Sequence, residues 1–133
     1  LRVSGANVTT TSTSASVITG LSITPTANKT YDFWGVLYSA SSTGGSKFAV
    51  TSTSNSVQYG LMGAGTSGTF NSYYTTSQAL TGANFSIAGT NPIYIFGTVI
   101  VGANTNVIDF KFAVATGGTS TITAGSFIKY QEI

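Results

Sequence analysis

The sequence predicts an all-β domain, a two-sheet antiparallel sandwich of jelly-roll-like form with about nine or ten strands. Three observations lead there. The chain holds 18 Ser, 23 Thr, ten Val and ten Ile against five Leu and one Glu, and β-branched residues suit pleated strands while good helix formers are scarce. Apolar and polar residues alternate with the period of two that a strand requires. Clusters of Gly, Asn and Ser then punctuate the alternating runs at short intervals. The 133 residues fit one domain, 1–133. A domain of this size buries roughly two thirds of its unfolded surface, so the lack of cysteine leaves a core that needs no staple.

Taken in order, residues 1–16 read as an extended N-terminal arm or edge strand, with the low-complexity run TTTSTSAS at 9–16. Val17, Thr19, Leu21 and Ile23 alternate with Ile18, Gly20 and Ser22 as a half-buried strand, and Pro25 with Ala27-Asn28 makes a turn. In KTYDFWGVLYSA (29–40), Tyr31, Phe33 and Leu37 share one face while Asp32, Trp34, Val36 and Tyr38 share the other. A turn at SSTGG follows, and SKFAVT returns with Phe48 and Val50 on one face and Lys47, Ala49 and Thr51 on the other. The second half repeats the pattern. IYIFGTVIV (93–101) is apolar on both faces, GANTN (102–106) turns, and VIDFKFAVA sends Ile108, Phe110, Phe112 and Val114 inward. Each copy of KFAV, at 47–50 and 111–114, is thus expected to be the return strand of a hairpin, the two hairpins lying 62–64 residues apart. Weaker strands are expected at 57–62, 69–75 and 84–89, and GSFIKYQEI (125–133) closes the chain.

The polar inventory excludes several kinds of chemistry. Only 6% of residues are charged, against about 25% in an average soluble protein. The five cations, Arg2, Lys29, Lys47, Lys111 and Lys129, are scattered, whereas a nucleic-acid interface clusters them. No run of about 18 apolar residues is present to span a membrane. The carboxylates are Asp32, Asp109 and Glu132 and there is no His, which removes the commonest general base and most metal sites. Asp109 is expected to be solvated or paired across strands, and Asp32 to pair with a lysine. Ser and Thr abound without an activating base in view. GAGTSG (63–68) has the glycine spacing of a dinucleotide loop, but strand-like TFNSYY follows where a helix is needed. The sequons at Asn7, Asn28 and Asn84 are no more than this composition yields by chance. The expectation is a protein that is not an enzyme, with no catalytic, cofactor-binding or metal-binding residue.

Aromatic residues are the functional candidates. In a sandwich each strand buries one face, yet the strands around Trp34 and Tyr94 are apolar on both. A neighbouring subunit covering the second face explains both strands at once, and the expected interface residues are Trp34, Val36, Tyr38, Tyr94 and Phe96. Tyr73 and Tyr74 are adjacent, so in a strand one of them faces away from the core; both are carried as exposed aromatic contacts. The competing use of exposed rings is a stacking platform for sugars.

The entry ANKTYDFWGVLYSA, the return strand KFAV and the ending TAGSFIKYQEI resemble a β-rich module of tailed-bacteriophage virion surface proteins, of the decoration or tail-fibre type. The residues that carry the resemblance are Ala27, Asn28, Thr30 and Tyr31, then Phe48 and Phe112, then Ala124, Gly125 and Ser126. The resemblance implies a β-rich homotrimer on the virion surface, with the major capsid protein or tail proteins as partners and neither nucleic acid nor membrane, and does not by itself distinguish head from tail. The leading expectation is a non-enzymatic capsid decoration or cement subunit, on the head rather than the tail; the alternatives are a tail-fibre module that binds a receptor or host glycan and a secreted adhesin. The length favours a decoration subunit if the chain is complete, and its start at Leu1 fits a processed, trimmed or excised protein.

Overall fold

The computed structural model describes residues 1–65, 69–81, 84–85 and 89–133. Ten strands follow one another: β1 (Val8–Thr10), β2 (Ser16–Ile23), β3 (Thr30–Ser41), β4 (Ser46–Thr51), β5 (Ser56–Ala64), β6 (Phe70–Thr75), β7 (Asn91–Ile100), β8 (Ile108–Val114), β9 (Ser120–Ile122) and β10 (Phe127–Glu132). All pair antiparallel, in a seven-stranded and a three-stranded sheet. The large sheet runs β1-β9-β3-β7-β5-β6, with β10 also on β3, and the small sheet runs β2-β8-β4. The expected two-sheet antiparallel sandwich is what forms. The expected strand at 84–89 falls largely outside the described residues, as does the second half of GAGTSG.

The long strand β3 organises the large sheet. One of its edges pairs with β7 from Thr30 to Ser39. The other is shared, with β10 along Tyr31–Val36 and β9 along Ser39–Ser41. At the gap between them, the Tyr38 amide donates to Ser126 Oγ (2.9 Å) and the Tyr38 carbonyl accepts from the Thr123 amide (2.9 Å). A turn therefore supplies the ladder bonds where neither strand does.

The two KFAV segments do not return as hairpins. β3 and β7 pair with each other in the large sheet, while β4 and β8 pair with each other in the small one, setting Phe48 opposite Phe112 and Ala49 opposite Lys111. Each chain segment thus arches from one sheet to the other. The reason is packing: the inner face of β3 and β7 needs an apolar lid, and a strand laid beside them could not supply one. Phe33 meets Phe110 edge-on across the sandwich, with ring centroids 5.1 Å apart. Phe48, Val50, Ile108, Phe110 and Phe112 are fully buried beneath Leu37, Leu61, Ile93 and Val99.

β2 also departs from expectation. Ile18, Leu21 and Ile23 are buried, while Val17 and Thr19 face solvent, so the inward face switches partway along. Gly20 has a φ of 89°, and the register with β8 slips between Val17 and Ser22. Four residues, 18–21, stand opposite Phe110 alone, an enlarged β-bulge of three extra residues, and an odd number of extra residues reverses the alternation beyond it.

Polar straps cross the apolar layer. Ser39 and Ser120 of the large sheet and Ser46 of the small one are all buried; Ser39 Oγ donates to Ser46 Oγ (3.2 Å), which also bonds Ser120 Oγ (2.5 Å). Tyr59, on β5, reaches across to donate its hydroxyl to the carbonyls of Ala79 (3.2 Å) and Phe48 (3.4 Å). Burial pushes the Tyr59 phenol from its ordinary 10.0 up to about 12, with the neighbouring Tyr73 adding to the effect.

Two outcomes follow from this packing. Between pH 10 and 12 the unfolded chain ionises its tyrosine while native Tyr59 keeps its proton. The sequestered proton therefore costs stability as pH rises, on the order of 2 kcal/mol once both limits are passed. Urea melts from pH 8 to 11.5 should show this fall, and Tyr59→Phe should flatten it while costing about 1 kcal/mol at neutral pH. Phe110→Ala should cost about 3–5 kcal/mol in the same melts, because it empties the centre of the sandwich.

Candidate functional site

The outer face of the seven-stranded sheet is built in rows by strand register. One row runs Phe127, Val36, Tyr94, Met62, Ser72 across β10, β3, β7, β5 and β6. The next runs Lys129, Trp34, Phe96, Gly60, Tyr74 across the same strands. Tyr38 and Pro92 pair beyond the first row, and Ala64 with Phe70 lies at the far end of β5 and β6. All five expected interface residues, Trp34, Val36, Tyr38, Tyr94 and Phe96, therefore share one face. Four of them are exposed and Val36 is half-buried between its neighbours.

Local sequence explains why these side chains stand where they do. Unbroken period-two alternation in β3 and β7 sends Tyr31, Phe33 and Leu37 inward and Trp34, Val36 and Tyr38 outward. Gly60 leaves a gap in the second row, and the Phe96 ring fills it: a Cβ there would stand 2.5 Å from Phe96 Cζ. Trp34 is held by Phe127, edge-on with centroids 5.8 Å apart. The Lys129 ammonium lies 5.1 Å from the Trp34 ring centre, a cation–π contact. Trp34 nonetheless stays 52% exposed, so its ring is positioned but not covered.

Tyr73 and Tyr74 separate. Tyr74 projects outward, 64% exposed, with its hydroxyl donating to Gln58 Oε1 (3.1 Å). Tyr73 turns inward and packs against the core, so it is not an exposed contact; the alternation of β6 allows only one of the pair to face out. Three residues of the face were not among the expected ones: Met62, 38% exposed, Phe70, 71% exposed, and Phe127. The alternation Phe70-x-Ser72-x-Tyr74 is the signal that would have found the second. Five strands abreast at about 4.8 Å and three rows at about 6.8 Å give a plan area of roughly 500 Å². That is the upper end of what monomers leave apolar and open, about 300–600 Å².

A polar row borders the rings: Gln131, Asp32, Thr98 and Gln58 in register. Asp32 does not pair with a lysine. Its Oδ1 accepts from Thr98 Oγ1 at 2.6 Å, the cross-strand neighbour that register places beside it. A shallow groove at this border is lined by Asp32, Trp34, Lys129, Tyr130 and Gln131. Asp109 faces out of the small sheet, accepting from Ser22 Oγ at 2.8 Å. Glu132 pairs with Lys29 at 2.7 Å and raises the lysine's pKa, chiefly through their hydrogen bond. Asp32 and Asp109 thus stand on opposite outer faces with the core between them, and do not converge on one reacting centre.

Compared with protein-family models, curated proteins and solved structures, the chain matches none.

Trp34 is the only tryptophan, so its fluorescence reports this face directly. Acrylamide should quench the dilute folded protein efficiently, and raising the protein concentration should protect the ring if copies cover it. Quenching as weak as for a buried indole in dilute solution would contradict the exposure described.

Proposed function

We propose that this chain is a non-enzymatic structural subunit of a bacteriophage virion, a decoration or cement subunit on the capsid, assembling as a homotrimer through the outer face of its seven-stranded sheet. The observation that carries the assembly is the ring-rich face itself: Trp34, Tyr38, Tyr94, Phe96 and Met62 are exposed side by side on rigid strands. Aromatic residues and Met are enriched at subunit interfaces, where they exclude water at small entropic cost. The occupant is a further copy of the chain, because a surface with 6% charged residues and a net charge of +2 offers copies little mutual repulsion. The virion setting rests on the resemblance of the Ala27–Tyr31 entry, the Phe48 and Phe112 strands and the Ala124–Ser126 close. On a shell, many weak copies of one contact add up by multivalency.

A second reading has its own observation. The groove beside Trp34 joins an exposed ring to a carboxylate, an amide and an ammonium, the mixture that stacks on and hydrogen-bonds a host glycan. In that reading the chain is the receptor-binding module of a tail fibre.

Light scattering at rising concentration separates these. The assembly reading expects a threefold step of association that Tyr94→Lys abolishes, with circular dichroism unchanged. A wild-type chain that stays monomeric at high concentration overturns it. Glycan-array binding that Trp34→Ala abolishes, in a monomeric protein, supports the second reading. Copy number per particle then distinguishes head from tail, with hundreds expected for a decoration subunit.

A further inference from the structure

Every sheet has edges, and an open edge offers unpaired amides and carbonyls to another chain. Among the described residues, every sheet edge but one is protected. On β4, Phe85 exchanges backbone bonds with Ser46, Thr81 bonds both the amide and the carbonyl of Phe48, and Gln78 Oε1 caps the Ser52 amide. The edge of β2 is broken by the bulge at Gly20, with the Arg2 carbonyl packed against it. β1 is only three residues long. β10 exchanges bonds with Leu1 at Ile128, bridges to Arg2 at Phe127, and then carries Lys129 and Glu132.

β6 has none of these devices. Among the described residues it pairs with β5 alone, in an unbroken register from Tyr59–Thr75 to Ala64–Phe70. Its sequence, Phe70-Asn-Ser-Tyr-Tyr-Thr75, contains no charge, no proline and no glycine. Phe70 and Tyr74, at 71% and 64% exposure, are among the most exposed large side chains of the protein. Edges of this kind pair with another strand unless something prevents it.

We propose that β6 pairs antiparallel with β6 of a second copy about a two-fold axis through Ser72, joining two seven-stranded sheets into one. The partner follows from the residues of β6 themselves. Directly opposed residues of an antiparallel pair share a face, so only registers that oppose outward residues with outward ones are allowed. Centring on Ser72 sets Phe70 against Tyr74 of the second copy, twice over, on the outer face. It sets Asn71 against the partner's Tyr73 on the inner face and brings two small serines together on the axis. Centring on Tyr73 instead would oppose Tyr74 to a serine and leave Phe70 unpaired. The Ser72 register alone matches both exposed rings with aromatic partners, and cross-strand aromatic pairs are the favourable unit of a sheet. This contact is made by the backbone edge of the sheet, so it does not require the proposed trimer, although Phe70 and Tyr74 also border the outer face.

The chain has no cysteine, so a single introduced thiol reports the axis cleanly. Opposed Cβ atoms lie about 4.5–5.5 Å apart, close to what a disulfide spans. Ser72→Cys should oxidise to a covalent dimer on the order of a hundredfold faster than the exposed β5 variant Ser56→Cys at about 10 micromolar protein, the gain expected from a millimolar effective concentration. The same dimer should form when Tyr94→Lys disables the outer face. Ser72→Lys, which opposes like charges on the axis, should abolish the non-covalent pair in sedimentation with the fold intact by circular dichroism. Cross-linking no faster than for Ser56→Cys, or cross-linking lost with Tyr94→Lys, would overturn edge pairing.

Discussion

A sheet has two faces, and this chain builds one lid. That constraint governs the rest of the molecule. The seven-stranded sheet turns Tyr31, Phe33, Leu37, Tyr59, Leu61, Ile93, Ile95 and Val99 to one side, and the three strands β2, β8 and β4 cover them with Ile18, Leu21, Phe48, Phe110 and Phe112. Nothing within the described chain covers the other side, where the same strands carry rings. Packing inside is therefore settled within one copy, while the outer rings remain a surface. The Ser39–Ser46–Ser120 hydroxyls and the Tyr59 phenol tie lid to sheet at chosen points. Buried polar bonds of this kind add direction to an apolar layer that would otherwise tolerate sliding.

Much of this was legible in the sequence because period two is a local property. The faces of β3, β4, β7 and β8 can be assigned residue by residue, and the doubly apolar character of β3 and β7 marks the outer face. What could not be read was which strands lie side by side. KFAV following a turn looks the same whether the chain folds back beside β3 or arches over it; the difference lies in whether Phe48 meets the end of β3 or the distant Phe112 across a ladder. The unequal division into seven and three strands is hidden for the same reason.

The remaining misreadings have local causes of another kind. The bulge adds three residues of chain, and a sequence does not display it: Gly20 in a strand is compatible with plain alternation, and only the register slip, with Gly20 at a φ of 89°, reveals that Val17 and Leu21 face opposite ways. Asp32 was paired in expectation with the commonest partner type, a lysine, but register gave it Thr98, and a hydroxyl at 2.6 Å satisfies a half-buried carboxylate without a second charge. With only eight charged residues in the chain, hydroxyls take over the work that ion pairs do elsewhere. The single ion pair among the described residues, Lys29 with Glu132, joins the start of β3 to the end of β10.

Scarcity of charge also connects the open face to the open edge. Charged side chains are the usual guard on both kinds of surface, because desolvating them opposes any contact. Here Lys129, Glu132 and Arg2 gather at the β10 side of the large sheet, and β6 at the opposite side receives none. The sheet is thus polarised across its width, guarded at one margin and open at the other, with the rings between. Phe70 and Tyr74 belong to both surfaces, since they stand on the outer face of the strand whose edge is free. A burial that begins at either surface therefore reaches the same two side chains. Contacts through the face and through the edge would draw on shared rings, which makes β6 the strand where the two kinds of association meet.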